Sequence, residues 1–75
     1  MKLSETVIGD RVKIKSMGCR SKITEKLRVM GITAGTVAEV MNIALLGTPI
    51  EIKSDGQRLA ISKAVADKIT VEYVK

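Results

Sequence analysis

Apolar side chains recur at every second position in several short stretches of this chain, a period that suits half-buried β-strands and not helices. Arg11-Val12-Lys13-Ile14-Lys15 alternates strictly, placing Val12 and Ile14 on one face and three cations on the other. Thr36 to Leu45, rich in Val, Met, Ile and Ala, predicts a second, longer strand. Pro49-Ile50-Glu51-Ile52-Lys53 alternates again, with Pro49 at the first strand position, where a missing amide hydrogen is tolerated. Leu59 and Ile61 supply the inward face of a fourth strand, and Ile69-Thr70-Val71-Glu72-Tyr73 forms a fifth. Asp55-Gly56 predicts a hairpin between the third and fourth, because both central residues of a type I′ turn need positive φ.

One segment changes period. Between Ser21 and Met30, residues Ile23, Leu27 and Met30 fall at i, i+4 and i+7, the apolar stripe of a short helix. Gly31 ends it as a left-handed cap, and Ala34-Gly35 forms the turn into the second strand. Ser62 caps a single helical turn through Lys68. The expected fold is mainly β: a closed or nearly closed five-stranded small barrel with one inserted helix and a helical turn before the last strand. Closure is favoured because an open sheet in a 75-residue chain leaves unpaired backbone along two edges. Residues 1–75 read as one domain without repeat or linker.

Composition then restricts what such a barrel does. There is no His, Phe or Trp, and Tyr73 is the only aromatic residue, so the core is built from aliphatic side chains and Met. Without His, the commonest general base and the Ser-His and Cys-His pairs are lost, and the expectation is no enzyme activity and no catalytic residue. Cys19, in Met17-Gly18-Cys19-Arg20-Ser21, stands near cations and a helix start, yet a lone cysteine of this kind is more often structural than reactive. One Cys and scattered acids offer no metal-ligand spacing, and no phosphate-binding loop is present, so no metal or cofactor is expected. The single cysteine, the charged start and the lack of a long apolar run point to the cytoplasm, with any membrane association made through a partner.

Charge supplies the first hint of a surface. The formal net charge is +5, and Arg11, Lys13, Lys15, Arg20, Lys22, Lys26 and Arg28 are opposed within their own segment only by Glu25. Such a patch suits nucleic acid, anionic lipid or an acidic protein surface, but single-strand binders usually add aromatic stacking platforms, and Tyr73 alone is available. A second hint is Leu45-Leu46-Gly47: two leucines beside a turn cannot both point into one face of a strand, so at least one is exposed. Leu45, Leu46 and Gly47, with Arg20, Lys22 and Lys26, are the candidate partner-binding residues. Weak self-association is left open.

Several stretches carry a resemblance: Leu27-Arg28-Val29-Met30-Gly31-Ile32-Thr33-Ala34-Gly35-Thr36, then Leu46-Gly47-Thr48-Pro49-Ile50-Glu51-Ile52, then Gly56 with Leu59-Ala60-Ile61, and Ala66 before Ile69. In this order and spacing the chain resembles the FeoA proteins of bacterial ferrous iron transport. That resemblance implies an SH3-like barrel and a cytoplasmic accessory protein that binds and modulates FeoB, a membrane ferrous iron transporter with a GTP-binding domain. Ala34, Ser62 and Val65 depart from it, standing where the family commonly has proline, arginine and glutamate. The alternative is a small basic barrel that binds single-stranded nucleic acid, or the SH3-like module of an iron-dependent repressor system, although no helix-turn-helix region precedes it here.

Overall fold

The computed structural model describes residues 1–18 and 21–74. A 3-10 turn at Leu3–Glu5 precedes β1 (Arg11–Ser16), α1 (Lys22–Val29), β2 (Val37–Ile43), β3 (Ile50–Ser54), β4 (Gln57–Ile61), α2 (Lys63–Ala66) and β5 (Thr70–Tyr73). The strands form one antiparallel sheet in the order β4-β3-β2-β1-β5.

The period-two reading holds where it matters most. Val12 and Ile14 on β1, Val40 on β2, Ile50 and Ile52 on β3 and Val71 on β5 are essentially removed from solvent. They share the concave face because antiparallel pairing keeps opposed residues on one side. Asp55 and Gly56 both adopt positive φ, 51° and 81°, and close the Ser54–Gln57 pair as the type I′ signal requires. Tyr73 is 60% exposed, so the core contains no aromatic ring.

Two local readings need correction. The second strand was expected to run to Leu45, but it ends at Ile43 because the Gly47 amide donates to the Ala44 carbonyl at 2.7 Å and turns the chain. The helix is where it was expected, yet its inward face is Thr24 and Leu27, while Ile23 is 52% exposed and Met30 half-buried. Capping chemistry accounts for this phase. Ser21 Oγ accepts the Thr24 amide at 3.2 Å, and Thr24 Oγ1 accepts the Ser21 amide at 2.8 Å, which turns Thr24 toward the body of the protein.

The two sheet edges are treated differently. β5 is flanked by the amino terminus, with the Val71 amide donating to the Met1 carbonyl at 2.7 Å and the Leu3 amide to the Ile69 carbonyl at 2.9 Å. Among the described residues β4 makes backbone hydrogen bonds to β3 alone. Strand pairing therefore does not close the sheet into a ring: β4 and β5 are its two ends, and β4 is its bare edge.

The link after β1 depends on a close approach. Gly18 has φ +74°, and a Cβ there would stand 2.5 Å from the Lys68 carbonyl oxygen. Backbone oxygen cannot move aside as a flexible side chain would. Gly31 also has positive φ, +90°, but faces open space. Gly18→Ala is expected to cost about 2 kcal/mol or more in denaturant unfolding, and Gly31→Ala about 1 kcal/mol. Equal costs would show that the contact with Lys68 does not constrain the fold.

Candidate partner-binding surface

The loop between β2 and β3 is a β-turn whose two central residues are Leu45 and Leu46, 99% and 87% exposed. Turn centres ordinarily carry Gly, Pro, Asn, Asp or Ser, each for a conformational or hydrogen-bonding reason that leucine does not satisfy. Neither leucine contributes burial to folding. Residues 43–50 contain no charged side chain, and Thr48 is the one polar side chain among them.

This turn is held in place from both sides. The Ala44 amide donates to the Pro49 carbonyl at 3.2 Å below the turn, and the Lys63 amide at the start of α2 donates to Thr48 Oγ1 at 3.1 Å. Thr48 thus gives one of the otherwise unpaired amides of α2 an acceptor while fastening the loop to the barrel. A fixed apolar turn loses less conformational freedom on binding than a mobile one.

The basic segment looks different in space than along the chain. Arg11 lies opposite Glu39 on β2, and Lys13 opposite Glu72 on β5. Lys15 Nζ is 3.5 Å from Glu72, and Arg28 is 3.8 Å from Glu25. The expectation of a patch opposed by Glu25 alone is therefore corrected: strands distant in sequence bring acids alongside the β1 cations. Lys22 and Lys26 are exposed one turn apart on α1. The candidates Arg20 and Cys19 lie outside the described residues. The leucine turn is tied to α2 and not to α1, so the candidate residues occupy separate elements.

The three departures have local explanations. Ala34 is exposed beside Gly35, whose φ of 94° carries the turn. Ser62 caps α2, its Oγ accepting the Val65 amide at 3.4 Å. Val65 is a core residue, 8% exposed, so it offers nothing to a partner. Sequence reading missed Thr48 as an anchor, and its position one residue before a proline carried no signal of a contact with α2. Among the described residues no group of three or more His, Cys, Asp or Glu side chains could hold a metal ion, and no helix is long and apolar enough to cross a membrane.

The FeoA domain model matches residues 1–73. The chain belongs to the FeoA family. That family is associated with ferrous iron transport and consists of accessory or regulatory SH3-like domains, not of known enzymes. The solution structure of a FeoA protein from Chlorobium tepidum superimposes with a TM-score of 0.93 at 33% identity, covering 100% of this chain and 71% of that one. Iron(II) transport protein A from Clostridium thermocellum gives 0.90 at 38% identity, over 99% of this chain and 46% of that one. At 21% identity the likeness to the zinc-complexed FeoA of Stenotrophomonas maltophilia, described as a prokaryotic SH3 domain protein, concerns the fold alone; its TM-score is 0.82, over 96% of this chain and 89% of that one. The same holds for T. acidophilum IdeR, at 15% identity and a TM-score of 0.87, where this chain covers 34% of the longer protein and 99% of itself is covered. No curated protein matches the chain in sequence.

The anchoring of the turn is directly testable. Thr48→Val keeps the side-chain shape and removes the acceptor for the Lys63 amide, so stability should fall by about 1 kcal/mol. Amide exchange at Lys63 and Gly47 should quicken with it. Unchanged exchange at both sites would show that the turn is not held through Thr48.

Proposed function

We propose that this FeoA-family protein is a cytoplasmic accessory factor that binds the cytosolic GTP-binding domain of a FeoB-type ferrous iron transporter and biases its nucleotide-dependent states. The observation that carries this reading is the Leu45-Leu46 turn: two adjacent leucines, 99% and 87% exposed, at the centre of a hydrogen-bonded, uncharged turn, whereas the other exposed aliphatic residues, such as Val29 on α1 and Val7 and Ile8 before β1, lie elsewhere on the surface. Lys22 and Lys26 on α1, together with Arg20, supply positive charge that favours an acidic partner surface and speeds encounter. A small domain of this kind regulates by holding one state of its partner more tightly than the other. Equal affinity for both states would shift nothing.

Nucleic acid binding fits less well. The single aromatic side chain gives at most one stacking platform, and several of the β1 cations have acidic neighbours.

Two substitutions separate contact from fold. Leu46→Asp should weaken binding to the GTP-binding domain by tenfold or more, in keeping with an apolar anchor worth about 1.5–3 kcal/mol, and leave the melting temperature of the free domain unchanged. Leu27→Asp, which places a carboxylate in the core, should unfold the domain. An unfolded Leu46→Asp protein, or a folded one that binds as tightly as the parent, would remove the leucine turn from the interface.

A further inference from the structure

The bare edge of β4 has a pattern of its own. Because the Asp55-Gly56 turn closes the hydrogen-bonded Ser54–Gln57 pair, bonding along the hairpin alternates: Ile52–Leu59 and Ile50–Ile61 exchange backbone bonds, whereas Lys53–Arg58 and Glu51–Ala60 do not. The amides and carbonyls of Arg58 and Ala60 therefore point away from the sheet, and none of them has a backbone partner among the described residues. The opposite edge is flanked by the chain's own amino terminus. Among the described residues no backbone hydrogen bond covers β4 on that side.

We propose that this edge pairs antiparallel with β4 of a second copy of the chain, about a two-fold axis at Leu59. The inference is independent of the leucine turn and of any transporter. Three symmetric registers use the outward-pointing groups. One sets Arg58 against Arg58, and like charges directly opposite are destabilising. Another sets Ala60 against Ala60 and leaves Arg58 facing Ser62, where β4 has already ended. The third sets Arg58 against Ala60 and Ala60 against Arg58, each pair exchanging two main-chain hydrogen bonds, with Leu59 against Leu59.

The side chains favour that third register on both faces. On the outer face, the row Lys53–Arg58 continues into Ala60–Glu51 of the second copy, so cations run toward a carboxylate. Arg58 already reaches diagonally to Glu51 of its own chain, at 3.0 Å. Ala60 presents only a methyl group, which leaves room for the same guanidinium to extend over it to Glu51 of the second copy, about 10 Å away across two strand spacings. On the inner face, the half-buried Leu59, packed at the margin of the core, meets its symmetry mate in a non-hydrogen-bonded pair, where side chains approach most closely. The result is a continuous sheet through two barrels. So short a pairing belongs with weak, concentration-dependent interfaces.

Sedimentation equilibrium and residue-resolved amide hydrogen exchange, both followed from micromolar to millimolar protein, test this pairing. The expected result is an apparent mass rising toward twice that of the monomer, with slowing of exchange at Arg58 and Ala60 in step. Ala60→Pro removes an amide hydrogen that has no backbone partner in the single chain, at an edge where proline is tolerated. It should abolish the dimer and preserve the melting temperature. A protein that stays monomeric at millimolar concentration, a dimer in which those two amides exchange freely, or one that survives Ala60→Pro would each overturn the proposal. Protection at Arg58 and Ala60 only when the transporter's GTP-binding domain is added would also overturn it, in favour of a partner strand. Since the exchange measurement is made on the unaltered chain, it decides the matter even if the proline variant fails to fold.

Discussion

Burial of aliphatic side chains on one face of a strongly curved sheet is the interaction on which everything else in this protein rests. A chain of 75 residues with no Phe, no Trp and an exposed Tyr73 has no large rings with which to fill its interior. It relies on Leu, Ile, Val and Ala with the buried Met17, each large apolar side chain contributing about 1.5–3 kcal/mol when fully buried. Val12 and Ile14 illustrate the economy: β1 pairs with β2 on one side and β5 on the other, so its two inward residues meet side chains from both neighbours. Gly18 belongs to the same constraint, because only a residue without Cβ lets the chain pass the Lys68 carbonyl on its way from β1 to α1.

Much of this architecture was legible in the residue pattern, for physical reasons that also explain where legibility ended. Strand faces follow from a two-residue period with no adjustable phase, so Val12, Ile14, Ile50, Ile52 and Val71 could be placed inward without knowing the fold. A short helix is different. Its apolar stripe is compatible with more than one rotation about the axis, and the Ser21–Thr24 reciprocal cap selected one that exposes Ile23. The end of β2 was read too late because a run of apolar residues continues through Ala44, Leu45 and Leu46, although the backbone has already turned. That misreading and the surface feature share one origin: leucines occupy positions that turn chemistry would give to other residues.

The candidate surface was legible only as a suspicion of exposure. That both leucines project, and that Thr48 and α2 brace their loop, depends on contacts between segments far apart in sequence. The basic segment shows the opposite effect, since folding sets Glu39 and Glu72 beside cations that seemed unopposed along the chain. Exposed pairs of this kind contribute about 1 kcal/mol or less, so they moderate the local field more than they stabilise the fold. Membership of the FeoA family sets the context of ferrous iron transport, while the contact itself is argued from this surface. An accessory role needs no metal site and no catalytic group; it needs a rigid element that a partner can grip in one of its states.

Whether a transporter grips the leucine turn in one nucleotide state is decided by a residue-by-residue NMR titration of the isotope-labelled domain with the transporter's GTP-binding domain, in its GTP-analogue-bound and GDP-bound forms. Shifts centred on Leu45, Leu46 and Gly47 with a flank on α1, and a measurable difference in affinity between the two nucleotide forms, are the expected result. Shifts that avoid the leucine turn, or identical affinity for both forms, would contradict it.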